Sequence, residues 1–258
     1  MTYNAKNPVS SDQTLLTILE RMERMGGGTI QEIAAEIDIT ESTVHNHLST
    51  LRQEKYVLKE DDRYYLGLRF LALGEAARNQ GPLYTFGRPE ADRICAKTGE
   101  LTNLATIESG RGVYLYRTQR DPDVRFSTDA GNYHDLHCSA TGKAMLAFLP
   151  EKVLDEIIEK HGLTEYTENT ITSREALESE LERVQNDQFA KDLEEYEKGL
   201  RCIASPILDE NDQMLGAISL SGPAMKFTDD YYDELAEAVK SAANVISLNI
   251  TRAEESRY

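Results

Sequence analysis

The chain has 258 residues, 40% of them hydrophobic, enough to bury the cores of two compact domains and too apolar for a disordered tail. It holds no apolar run near the roughly 18 residues of a membrane-crossing helix, and its polar opening, Met1 to Ser10, lacks the apolar heart of a secretory signal; a cytoplasmic protein without a membrane partner is expected. Acidic residues outnumber basic ones 45 to 28, a net charge of −17, which counts against nucleic acid as a partner unless the surface is built for molar salt, where screening acts within about 3 Å. Cys95, Cys138 and Cys202 are far apart and form no CxxC pair, so neither a disulfide framework nor a zinc ribbon is indicated.

Ser11-Asp12 opens a first helix with Leu15, Leu16, Leu19 and Met22 as its apolar stripe, and Gly26-Gly27-Gly28 stops it. Thr29-Ile30-Gln31-Glu32 reads as a capping box, in which the Thr29 hydroxyl accepts from the Glu32 amide and the Glu32 carboxylate reaches back. The short helix behind it buries Ile33, Ala34 and Ile37. After a three-residue turn, Thr40 caps a third helix with Val44, Leu48 and Leu51 inside. That helix leaves Ser42, Thr43, His45, Asn46, His47, Ser49, Thr50 and Arg52 off its buried stripe, and with the cap Thr40 these supply the candidate DNA contacts Thr40, Ser42, Thr43, His45, Asn46, His47, Thr50 and Arg52. Ser42, Thr43 and Asn46 fall in its first two turns, where a recognition helix meets base edges, and Asn can pair bidentately with adenine. A polar face of this kind is by itself ordinary solvent-facing surface. Tyr56-Val57-Leu58 and Tyr64-Tyr65-Leu66 then read as strands around a charged turn, a hairpin wing that adds Arg63 as a DNA contact. The order of helix, helix, turn, helix and hairpin within sixty residues is the specific signal.

The run Thr40-Glu41-Ser42-Thr43-Val44-His45-Asn46-His47-Leu48-Ser49-Thr50-Leu51, followed by Tyr56-Val57 and Arg63-Tyr64-Tyr65-Leu66-Gly67, resembles the DNA-binding domain of the IclR family of regulators. Many members carry Arg where this chain has Asn46, so the operator sequence does not follow from the resemblance. Residues 1–75 hold eight basic and twelve acidic side chains, a net −4, and the remainder is net −13. Acidity that reaches into the DNA-reading part fits salt adaptation better than an acidic tail, and the resemblance is to IclR-type regulators of halophilic archaea.

Phe70 to Arg88 reads as a linker helix interrupted at Gly81-Pro82; in the family this segment serves dimer contacts. Beyond it the pattern is α+β. Thr102 to Glu108 pairs with Gly112 to Thr118, and Arg201 to Leu208 with Met214 to Ser221, as hairpins. Helical stretches are expected over 141–160, 173–187 and 229–251. This suits one antiparallel sheet flanked by helices and resembles the GAF-like effector domain of the family. Leu136-His137-Cys138-Ser139-Ala140-Thr141-Gly142-Lys143, Tyr166 to Thr172, Gly199 to Pro206 and Ala217 to Pro223 carry that match; Gln188-Phe189-Ala190 departs from the family's frequent Gly-Tyr-Ala. The expected plan is a winged helix-turn-helix over 1–75, a linker helix over 76–88 and an effector-binding domain over 89–258.

Ser139-Ala140-Thr141-Gly142 precedes an apolar helix whose free amides suit an anion, and Ser219 and Ser221, two apart on a strand, face one side. By resemblance, Ala140 and Thr141 through their backbone and Asp192, Leu200, Cys202, Ser219 and Ser221 through their side chains line a pocket for a small carboxylic acid. The resemblance further implies double-stranded operator DNA as partner and a homodimer that pairs into tetramers. Ser-x-Ser on a strand or a lone Cys is otherwise ordinary strand surface or core. A metal on His134, His137, Cys138 and Cys202 is a weaker reading, because neighbouring strand residues point to opposite faces. No GxSxG elbow, HExxH helix or phosphate-binding glycine loop is present, so neither a catalytic residue nor a cofactor is assigned.

Overall fold

The structure, a computed structural model, describes residues 5–120 and 129–256; Met1 to Asn4 of the polar opening lie outside them. The chain divides between Gln80 and Gly81 into two compact units.

The first unit runs α1 (Ser10–Met25), α2 (Ile30–Ile37), α3 (Glu41–Gln53), the hairpin β1 (Val57–Glu60) and β2 (Arg63–Leu66), and α4 (Arg69–Arg78). Its core gathers Ile18 and Met22 of α1, Ile33 of α2, Val44 and Leu48 of α3, and Val57 of the wing. Leu16, read from the sequence as part of the buried stripe, is 58% exposed. The stripe is Ile18 and Met22, with Leu15 and Leu19 at its margins. Gly26 ends α1 in the left-handed conformation, as a glycine after a helix does. The glycine run also does something its composition did not suggest: Gly28 exchanges both backbone hydrogen bonds with Tyr64, fastening the wing to the turn before α2. Gly27, at φ +101, has no room for a Cβ, which would stand 2.6 Å from the Tyr65 ring.

The second unit opens with α5 (Pro82–Thr98), which Gly81 precedes and Pro82 starts, a position where the missing N–H costs nothing. Residues 76–88 therefore span the end of α4, a break and the first turns of α5. There follow β3 (Leu101–Glu108), β4 (Arg111–Thr118), β5 (Tyr133–His134), α6 (Ala140–Leu146), α7 (Glu151–His161), α8 (Arg174–Asp187), β6 (Ala190–Leu193), β7 (Leu200–Leu208), β8 (Met214–Pro223), a 3-10 turn at Ala224–Lys226 and α9 (Asp229–Glu255). The expected helix over 141–160 is two helices, because Pro150 cannot continue the first and caps the second. The six strands pair antiparallel throughout in the order β5-β4-β3-β8-β7-β6.

Strand alternation sorts side chains between two layers. Leu104, Ile203, Ile207, Ile218 and Leu220 face α5 and α9 in one core. Ala105, Ala204 and Ala217 face the other way, against α6, α7 and α8. Three alanines on that face let α6 lie close to the sheet. Gln188, which caps α8, holds φ 61, a left-handed conformation that disfavours any residue with a Cβ.

Backbone contact also sets the near end of α6. A Cβ on Gly142 would stand 2.1 Å from the Leu136 carbonyl oxygen, whereas Gly74 in α4 has nothing within 4 Å. Gly142→Ala should cost about 1–3 kcal/mol by overpacking, and Gly74→Ala should be neutral or stabilising by up to about 1 kcal/mol. Urea midpoints of the two variants measure both, and a harmless Gly142→Ala would refute the close approach.

Candidate functional site

In the first unit α3 carries the exposed polar stripe Ser42, His45, Asn46, Ser49 and Arg52, at helical spacing on one face. Arg52 shares a surface dent with His45, Ser49 and Lys59 of the wing. Thr43 and Thr50 are tied up locally. The Thr40 Oγ1 caps the helix by accepting from the Thr43 amide at 3.2 Å and lies 2.8 Å from the Thr43 hydroxyl. The Thr50 hydroxyl donates to the Asn46 carbonyl at 3.1 Å. His47 is half-buried. Arg63 does not reach outward from the wing: its Nη1 donates to both Glu32 carboxylate oxygens, at 3.2 and 3.0 Å, and its Nη2 to the Gly27 carbonyl. Glu32 meanwhile accepts from the Thr29 amide at 2.9 Å, completing the capping box.

In the second unit one cleft crosses the polar end of the α6-facing sheet surface. Ala140, Thr141, Asp192, Leu200, Cys202, Ser219 and Ser221 all line it. The register explains why residues so far apart in sequence meet. Asn103 stands opposite Ser219, Ser219 opposite Ala204, and Cys202 between Ser221 on one side and Asp192 on the other. Asn103 Nδ2 donates to both serine hydroxyls, at 3.1 and 3.2 Å, so each oxygen is positioned with its own proton still to give. Above them Ser139 caps α6 by accepting from the Gly142 amide at 3.1 Å. The first amides of a helix, here those of Ala140 and Thr141, have no intrahelical acceptor.

The family model described as "IclR helix-turn-helix domain" matches residues 15–61, and "Bacterial transcriptional regulator IclR C-terminal" matches residues 77–248. The chain belongs to the IclR family of transcriptional regulators. A probable transcriptional regulator of Halobacterium salinarum, ArcR, is 31% identical over 95% of each chain. The crystal structure of the Thermotoga maritima IclR superposes with a TM-score of 0.80 at 30% identity, covering 93% of this chain and 99% of that one. An IclR homologue of Microbacterium hydrocarbonoxydans, solved with 4-hydroxybenzoate, shares the fold at a TM-score of 0.77 and 22% identity over 93% and 99% of the two chains. The IclR-family chain is thus a transcription regulator with a helix-turn-helix for DNA and a C-terminal ligand-binding domain, in a family whose named members are regulators and not enzymes.

The regulator's cleft also takes in Asn103, Tyr114, Arg117 and His134, which residue-by-residue reading passed over as ligand contacts. Asn103 meets Ser219 only through the pairing of β3 with β8, which neither expected hairpin contains. The His134, His137 and Cys138 side chains do not converge as a metal would require. His134 Nε2 lies 3.1 Å from Thr141 Oγ1, His137 Nε2 lies 3.0 Å from the Thr164 carbonyl, and the Cys138 thiol donates to Asp135. Burial pushes the Cys202 thiol up, so it stays protonated and is no nucleophile. Burial also raises Asp192 to about 7, with the charge of Glu195 adding to it, against the Glu195 amide that donates to Asp192 Oδ1 at 2.8 Å. It lowers His134 to about 4, helped by Arg111.

These two groups tilt stability in opposite directions. Asp192 binds its proton more tightly folded than at its ordinary 3.8, so its contribution is full below that value and lost as pH rises to about 7. His134 is depressed from 6.5, so its contribution is full above that and lost as pH falls toward about 4. Over pH 4 to 7, Asp192→Asn should make stability climb more steeply with pH than in wild type, and His134→Leu less steeply. Urea unfolding across that range is the measurement, and parallel curves for all three proteins would show that neither group titrates as its burial implies.

Proposed function

We propose that α3 reads double-stranded operator DNA through Ser42, His45, Asn46 and Arg52, and that a small carboxylic acid in the cleft controls that binding. The acid's carboxylate is received at the amides of Ala140 and Thr141, and its second oxygen at the hydroxyls of Ser219 and Ser221. The observation that carries the reading is the gathering of seven residues from α6, β6, β7 and β8 around one cleft lined with hydrogen-bond donors. The 4-hydroxybenzoate held by the Microbacterium relative supports an acid as the ligand class. Residues 1–75, 76–88 and 89–258 serve as reader, linker and sensor. The protein works in the cytoplasm as a homodimer that pairs into tetramers; self-association is supported by α4, none of whose residues is buried and which exposes Leu71 and Leu73. The ligand shifts the balance of DNA-competent and incompetent forms by its differential affinity for the two.

Gel-shift titration tests both halves. Asn46→Ala should weaken operator binding by about 1–3 kcal/mol per lost base contact and leave unrelated DNA nearly unchanged. Ser219→Leu should keep operator binding and abolish the response to short-chain or aromatic acids that act on the wild type. Equal losses on both DNAs, or a normal response from Ser219→Leu, would sink the corresponding half.

The acidity of both parts of the chain, and the Halobacterium salinarum relative, support operation in concentrated salt. A basic protein with 6–10 phosphate contacts loses about a thousandfold or more in affinity between 50 and 200 mM salt. For this regulator, fluorescence anisotropy should give a shallow or positive slope of log affinity against log salt up to molar KCl. A steep fall would mean that Arg52 and its basic neighbours dominate, and that the chain is not salt-adapted.

A further inference from the structure

The wing is two strands of four residues each, too small to hold itself, so its place beside α3 comes from what fastens it. Alternation along β2 puts Arg63 and Tyr65 on one face and Tyr64 on the other. Tyr65 lies against Gly27, where a Cβ would meet its ring, and Tyr64 exchanges backbone hydrogen bonds with Gly28. Arg63 completes the attachment, with Nη1 on both Glu32 oxygens and Nη2 on the Gly27 carbonyl at 3.2 Å. Across the hairpin Tyr64 pairs with Lys59, whose Nζ lies 5.3 Å from the Tyr64 ring centroid. Lys59 in turn shares the dent with His45, Ser49 and Arg52 of the α3 stripe. What grips β2 from the α2 side therefore sets where the wing stands against the reading stripe.

An arginine in a wing is the residue most expected on a DNA phosphate. Here its fork is engaged at three acceptors. Swinging it outward would take a partner from the carbonyl of Gly27, a buried residue, and leave the Glu32 carboxylate uncompensated. The Thr29 amide, with the Arg63 charge adding to it, holds the Glu32 carboxyl below its usual range, so the pair is ionised at neutral pH. The tip ahead of Arg63 is Glu60-Asp61-Asp62, all three exposed, a surface that repels a phosphate backbone.

We propose that Arg63 is a positioning residue for DNA reading and makes no contact with the duplex: paired with Glu32, it holds the wing at the α2 cap, with Lys59 beside Arg52. Tight operator binding then depends on the pair, although neither member touches DNA. This rests on the reading of α3 as the DNA-contacting helix, and deepens it by naming the residues that place the wing.

The test uses the full chain and an operator duplex selected by the wild-type protein from a random-sequence pool. Affinity is read by fluorescence anisotropy between about 0.3 and 1 M KCl, where distant charges are largely screened. A lost phosphate contact changes the slope of log affinity against log salt by about 0.9. Arg63→Gln and Glu32→Gln should each weaken operator binding about two- to fivefold, the range of a half-exposed ion pair, and the double variant no more than either. Gln at position 32 keeps an oxygen for the Thr29 amide, so α2 stays capped. All slopes should stay at the wild-type value, because fewer chains hold the wing in place but the complex they form is the same. Arg63→Lys keeps a charge able to meet a phosphate but loses the fork, and should weaken binding as well. Thermal unfolding confirms that each variant is folded. A direct phosphate contact predicts the reverse: Glu32→Gln frees the guanidinium and tightens binding, and Arg63→Gln changes the slope. Either result, or wild-type affinity in the Gln variants, overturns the inference alone, provided that Asn46→Ala still tells operator from unrelated DNA. If no operator can be selected, or Asn46→Ala loses equally on both DNAs, the reading of α3 is wrong and the inference falls with it.

Discussion

An ammonium group 1% exposed has to be neutralised where it lies, and Lys143 of α6 imposes that condition on everything around the cleft. It pairs with Glu195, in the turn after β6, and with Glu180 of α8 at 3.2 Å; Arg183 holds Glu180 from the other side at 2.7 Å. Burial pushes the carboxyl of Glu195 up against the pull of Lys143, while Arg183 and Lys143 keep that of Glu180 below the usual range despite burial. The backbone of the same turn is fixed as well, since the hydroxyls of Thr167 and Thr170 donate to the carbonyls of Glu194 and Glu195, at 2.7 and 2.6 Å. The Glu195 amide in turn holds Asp192. One buried charge therefore locks α6, α8 and the β6 turn together, and with them the roof and one wall of the cleft.

The parts of the fold that were legible in the sequence are those set by local rules. The capping box at Thr29–Glu32, the cap at Thr40 and the helical spacing of Val44, Leu48 and Leu51 gave the helix-turn-helix without tertiary information. Strand alternation gave β3, β4, β7 and β8. The edge strands β5 and β6 were missed because they are two and four residues long, too short for a period to appear. Arg63 and Thr43 look like DNA contacts from composition alone. Their partners, Glu32 thirty-one positions away and a neighbouring cap, belong to the folded chain. The cleft shows the same division. Its backbone and serine positions were visible through family resemblance, whereas His134 and Arg117 count only once Tyr114 brings them together.

Charge is unevenly distributed around α3. Glu41 is the one acidic residue within α3, and it occupies the first turn, where the helix dipole favours it. The exposed stripe Ser42, His45, Asn46, Ser49 and Arg52 carries no carboxylate, although residues 1–75 as a whole are net −4.

Glu32 has two employers. Its carboxylate closes the cap of α2 on the Thr29 amide and also receives the wing's Arg63. Most surface ion pairs can be inverted by exchanging the two residues, because attraction is symmetric in sign. This one cannot: an arginine at position 32 would turn a donor toward the Thr29 amide, itself a donor. The wing and the helix-turn-helix are thus coupled by a pair with a fixed polarity, and sequences that drift here can lose the pair or keep it, but have no path to its mirror image.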